Sequence, residues 1–122
     1  RAFDVGVYKS TVKELLTPYE IPMDAGNHED VRWVKITNPG GIGIMAQCDT
    51  SLLQFTALPY SDEQMENVEY KIDLPQSDAT VFCISHLTLG VGSNGCGPRP
   101  LPQYMVYAAP VSFTYKLNLM TQ

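Results

Sequence analysis

Two histidines, three cysteines and thirteen carboxylates are the residues of this chain that could do chemistry. Neither His28 nor His86 stands in a Gly-x-Ser-x-Gly or His-Glu-x-x-His setting, so neither marks a nucleophile's base or a zinc site. Cys83 and His86 are three residues apart, which on a strand sends them to opposite faces and forbids a local dyad or a shared metal. A satisfied structural role is expected for His86. The densest polar group is Asp24, Glu29, Asp30 and Arg32 in "DAGNHEDVRW". Its carboxylates are expected to pair with Arg32 or to cap the loop before the next strand, with His28 exposed beside them. A pair of carboxylates of the kind some hydrolases use requires a separation that spacing in sequence does not give. No catalytic residue and no metal-ligand set is therefore assigned.

The cysteines, Cys48, Cys83 and Cys96, are odd in number and lack metal-like spacing, so at least one is unpaired within the chain. Cys48 and Cys83 lie in apolar, strand-like runs, where a thiol acts as a small hydrophobe. The 122 residues, 44% of them hydrophobic, suit a single domain with its own core, burying roughly two thirds of the unfolded surface. The net charge of −5 comes with no Lys or Arg cluster, which argues against nucleic acid as a partner. No apolar run approaches the roughly 20 residues of a membrane span, and nothing after Arg1 resembles a signal peptide's apolar stretch. The chain reads as soluble and already trimmed, with no membrane partner.

These residues must be positioned by strands, because turn residues break the chain about every ten positions. "VRWVKITN" and "IGIMAQC" flank "PGG" and predict a hairpin. "LLQFTAL" predicts a strand that stops at Pro59. Ser61 with Gln64 three residues on predicts a capped short helix. "VEYKIDL" is read as extended, and "ATVFCISHLTLG" as a strand covered on both faces. "VSFTYKLNL" alternates strictly and predicts a strand with one wet face. The N-terminal "FDVGVYKSTVKELLTPYEIP" is expected to form a strand and an extended arm, because Pro18 and Pro22 oppose a regular helix. The expected class is all-β, an antiparallel sandwich.

Three ordered patterns, "PYEIPMDAGNHEDVRW", "FTALPY" and "GVGSNGCGP", make nearly the whole chain resemble the C-terminal, small-chain domain of glycoside hydrolase family 2 β-galactosidases. The resemblance implies that residues 1–122 are the later part of an antiparallel β super-sandwich of galactose-mutarotase-like type, hence a partial domain. It further implies a large parent enzyme that removes terminal β-D-galactose by a retaining mechanism. The two catalytic glutamates of that mechanism lie in a TIM barrel outside this segment. It implies no cofactor in this segment, with Mg2+ and Na+ bound in other domains of the parent. The implied partners are those domains; whether the parent is a homo-oligomer, and whether it is cytoplasmic or periplasmic, stay open at this point. A sandwich that has lost its other half is expected to expose an apolar patch, with the strand around Phe82 and Ile84 as its place.

In this family the loop matching "LGVGSNGCGPRPLPQY" (residues 89–104) faces the active-site mouth and often carries tryptophan, where this chain has Cys96. Ser93, Asn94, Gly95 and Cys96 are thus candidates for a substrate-entrance loop that could meet a galactoside. Asp24, His28, Asp30 and Arg32 form the candidate polar loop. That loop departs from the family's Gln-Glu-Asn-Gly run and its frequent arginine, replaced here by Met23 to Gly26 and by His28. Two other roles fit the residues: a free-standing, lectin-like carbohydrate-binding sandwich, and a purely structural domain that holds subunits together.

Overall fold

A computed structural model describes residues 5–22, 25–75, 77–89 and 97–121. Its elements, in order, are helix α1 (Val12–Leu15) and strands β1 (His28–Val31), β2 (Trp33–Thr37), β3 (Gly43–Gln47) and β4 (Leu53–Leu58). Helix α2 (Asp62–Glu66), β5 (Val81–Ser85) and β6 (Lys116–Met120) follow, with single 3-10 turns at Lys71–Asp73 and Pro102–Tyr104. The strands form two antiparallel three-stranded sheets, ordered β1-β4-β5 and β2-β3-β6. The all-β class expected from the sequence is borne out. The chain divides into two compact units, Arg1–His28 with Phe55–Ile84, and Glu29–Gln54 with Ser85–Gln122.

In the first unit, Ser61 caps α2 as its spacing predicts. The Gln64 N–H donates to Ser61 Oγ at 3.2 Å and the Ser61 N–H donates to Gln64 Oε1 at 2.9 Å. That fixes the helix start so that Met65 is buried, alongside Ala57 and Leu58 from β4. The N-terminal segment differs from expectation: it carries α1, a single helical turn, rather than a strand. Thr11 and Glu14 form a second capping box, with the Thr11 N–H donating to Glu14 Oε2 at 2.8 Å. Pro18 lies beyond the last helical residue, so it ends the helix without opposing it. "VEYKIDL" also departs from the extended form, since Lys71–Asp73 closes as a 3-10 turn. Lys71 ties that turn back to the N-terminal segment. Its N–H donates to the Glu20 carbonyl at 2.7 Å, and its Nζ donates to the Thr17 carbonyl at 3.3 Å.

The second unit is built on the predicted hairpin. β2 and β3 pair antiparallel from Trp33↔Gln47 to Thr37↔Gly43. Asn38 closes the turn: its N–H donates to the Ile42 carbonyl and its Oδ1 accepts from the Ile42 N–H, while Gly41 takes φ +83°. Gly43 is demanded by close approach, because a Cβ there would stand 1.9 Å from the Ile36 carbonyl oxygen. On its other side β3 pairs with β6, from Gly43↔Met120 to Gln47↔Lys116. An ion pair between Lys116 and Asp49 and the Cys48 thiol, which donates to the Thr114 carbonyl at 3.4 Å, hold the start of β6. Only the second half of the alternating segment is strand, because residues 111–115 have no ladder partner among the described residues.

Among the described residues the buried apolar side chains are Ala46, Leu53, Ala57, Leu58 and Met65. β5 is not covered on both faces: Cys83 is exposed, while Phe82 and Ile84 are half-buried. Exposed apolar residues lie elsewhere, Leu117 and Leu119 of β6 at 56% and 85% and Ile72 at 91% among them.

The Glu14 carboxyl is held below the usual carboxylate range by the Thr11 backbone N–H, then by the Ser10 and Thr11 hydroxyls. A carboxyl lowered in the folded state adds stability above its unfolded pKa, and that stability is lost as pH falls through the folded value. In a 13C NMR titration, Glu14 is therefore expected to titrate below the glutamate of an unstructured model peptide, and Thr11→Ala to move it upward. Titration at the model-peptide value would show that the capping box does not persist in solution.

Candidate functional site

Of the candidate polar loop, His28 is placed in the first unit, and Asp30 and Arg32 in the second. Gly26, two residues before β1, takes φ +77° and packs against the Leu15 carbonyl. This turn aims its own carbonyl at the imidazole, and His28 Nδ1 lies 2.7 Å from that oxygen. A carbonyl only accepts, so Nδ1 carries the proton and Nε2 holds the lone pair of the neutral ring. The ring stacks on Phe55 with centroids 4.7 Å apart and planes 13° apart, and Phe55 meets Phe82 edge-on at 6.0 Å. His28 is therefore a half-buried member of an aromatic row, not the exposed loop residue expected. The contact with Phe55 spans 27 residues of sequence, and no local pattern announces it.

An open cleft in the same unit went unforeseen. It is lined by Pro18, Tyr19, Glu20, Tyr70, Lys71 and Ile72, and the two Lys71 hydrogen bonds fix its walls. Beside it a smaller hollow is lined by Leu16, Pro22, Tyr60, Met65 and Leu74, among others.

In the second unit Asp30 adopts φ +56°, a left-handed conformation that aspartate tolerates better than most residues. It lets β1 end and β2 begin within two residues. Arg32 is exposed, and its carbonyl accepts from the Cys48 N–H at 3.3 Å. Among the described residues no ion pair joins Arg32 to Glu29 or Asp30, contrary to the expected pairing: all three side chains are exposed, where water competes well with an ion pair.

His86 also departs from expectation. Its ring packs on Phe113 at 5.1 Å, and its shielded Nδ1 has no partner among the described residues. An aromatic face offers that nitrogen no conventional hydrogen bond. Trp33 is 41% exposed, but the Lys35 ammonium sits 5.5 Å from its ring centroid. The cation occupies a face on which a sugar would stack. Among the described residues no three His, Cys, Asp or Glu side chains gather as metal ligands. Asp24 and the entrance-loop candidates Ser93, Asn94, Gly95 and Cys96 lie outside the described residues.

Comparison with known proteins gives a consistent result. Residues 1–118 match the family described as beta galactosidase small chain. A beta-galactosidase of Priestia megaterium is 34% identical over 105 residues, covering 85% of this chain and 10% of that protein. Beta-galactosidase BgaC of Bifidobacterium adolescentis is 31% identical over 119 residues, covering 94% of this chain and 11% of its own length. A beta-galactosidase of Streptococcus thermophilus is 27% identical over 97% of this chain and 11% of its own. The chain thus spans about a tenth of the length of these relatives.

The His28 geometry makes a direct prediction. Nitrogen-15 NMR of the neutral imidazole should show the Nδ1–H tautomer, where free histidine favours Nε2–H. His28→Phe keeps the stack on Phe55 and loses the hydrogen bond, at about 1 kcal/mol. His28→Ala loses both and should destabilise more in urea unfolding. An Nε2–H tautomer, or equal effects of the two variants, would contradict the arrangement.

Proposed function

The chain belongs to the beta galactosidase small chain family, and from that premise we propose that it is a non-catalytic domain of a larger β-galactosidase. One observation carries the proposal: the similarity runs through 118 residues while covering about a tenth of each relative. The catalytic carboxylates of a retaining mechanism then belong to the rest of the enzyme, and this segment packs against that remainder. Any Mg2+ or Na+ the parent uses is assigned to its other domains.

The glycine-rich loop is assigned a part in shaping the sugar entrance. Gly90, Gly92, Gly95 and Gly97 admit backbone conformations closed to other residues, and Pro98, Pro100 and Pro102 stiffen the exit. Cys96 offers no flat ring, so the loop shapes the mouth with backbone and with Ser93 and Asn94 rather than with an aromatic platform.

The test begins with the intact mass of the native protein, detected by an antibody to this chain. A species roughly tenfold larger than 13.5 kDa is expected, and a native species of 13.5 kDa would overturn the proposal in favour of a free-standing lectin-like module. In the full-length enzyme, Cys96→Trp should then raise kcat/KM for a disaccharide galactoside about 2-fold to 10-fold, the range ring stacking supplies. The melting temperature should stay where it was. Unchanged kinetics would make the loop a structural crossover.

A further inference from the structure

The walls of the cleft in the first unit are two short segments held side by side by one backbone bond. The Lys71 N–H donates to the Glu20 carbonyl at 2.7 Å, and Tyr19 and Tyr70 each stand one residue before a partner in that bond. Local turns brace both segments: the Tyr19 N–H donates to the Thr17 carbonyl at 2.8 Å, and the Tyr70 carbonyl accepts from the Asp73 N–H at 3.0 Å. The backbone around each ring is therefore ordered before any ligand arrives, which lowers the entropic cost of binding. Every residue lining the cleft, Pro18 and Ile72 included, belongs to this one unit. Its volume, about 610 Å3, lies in the roughly 300–1,000 Å3 range of small-molecule sites.

The side chains sort ligands by chemistry. Tyr19 and Tyr70 are 53% and 49% exposed, so each is half held by the protein. Among the described residues neither ring packs on another ring, and neither hydroxyl hydrogen-bonds to a protein group. The Glu20 carboxylate has no ion pair among the described residues. On the other wall the Lys71 ammonium is engaged by the Thr17 carbonyl at 3.3 Å. Opposite charges in one cleft disfavour ions of either sign, since an anion meets Glu20 and a cation meets Lys71. A neutral ligand escapes both penalties if it has an apolar face for the rings and hydroxyls that donate to the carboxylate. A pyranose ring is such a ligand, with C–H groups on one face and hydroxyls at its rim.

We infer that this cleft binds a neutral saccharide, with a pyranose ring stacked on Tyr19 and Tyr70 and a hydroxyl donating to Glu20. The choice of a galactoside as the test ligand rests on the reading of the chain as a domain of a β-galactosidase.

The experiment titrates a thio-linked galactobioside, which resists hydrolysis, into the full-length protein carrying meta-fluorotyrosine, with fluorine NMR as the readout. The Tyr19 and Tyr70 signals, assigned by their loss in Tyr19→Phe and Tyr70→Phe, should shift with one midpoint, while the Tyr115 signal stays in place. Read from Tyr19, the midpoint should weaken about 2-fold to 10-fold in Tyr70→Ala, which removes a stacking ring, and stay near its original value in Tyr70→Phe. Glu20→Gln should weaken it by a similar factor, because a charged acceptor is replaced by a neutral one. Signals that do not move, or a midpoint that Tyr70→Ala and Glu20→Gln leave unchanged, would overturn the inference. So would a shift produced by tetramethylammonium and not by the saccharide, which would assign the rings to a cation. Failure of the parent-enzyme reading would appear separately, as a native mass of 13.5 kDa.

Discussion

One strand carries the second sheet. β3 is the shared partner of β2, reached through a five-residue turn, and of β6, which begins 69 residues after β3 ends. The first pairing is local and closes early at small entropic cost, whereas the second must offset the closure of a long loop. Gly43 stands where both ladders end, opposite Thr37 on one side and Met120 on the other. Its missing Cβ allows the Ile36 carbonyl its close approach. The ion pair of Lys116 with Asp49 and the Cys48 contact with the Thr114 carbonyl both lie where β6 enters the sheet. They pin the end of the long loop rather than strengthen an already local turn.

A chain of this length can bury enough apolar area to form a core, and among the described residues the buried hydrophobic ones are Ala46, Leu53, Ala57, Leu58 and Met65. Three of these are alanine or methionine. Large apolar side chains such as Ile72, Leu117 and Leu119 remain outside. Conformational entropy opposes every ordered residue, and these exposed side chains are ordered without the burial that would offset that cost.

What the sequence made legible was local. The hairpin turn at "NPGG" and the capping box at Ser61 depend on neighbours three to five residues away, and both form as the residue types require. The same Thr-x-x-Glu spacing stands at Thr11 to Glu14, but β-branched neighbours and two prolines pointed to a strand there. The proline's position beyond the last turn decided otherwise. Alternation in "VSFTYKLNL" reported a two-faced segment correctly, yet it became strand only over Lys116–Met120, where β3 offers a ladder. The polar-loop residues were found by type and misplaced by environment: His28 is held by Phe55, a partner no spacing rule reaches.

The two faces of the second sheet also bear on what this domain is for. A free-standing sugar binder needs an aromatic face open to solvent, and Trp33 lies on the polar side of the sheet, where one would be useful. Lys35, two residues along the same strand and on the same face, sets its ammonium against that ring. A cation over an indole is favourable in itself, and a pyranose would have to displace it before stacking. The polar face is thus settled with its own side chains, while the apolar face of the same three strands is left with two exposed leucines.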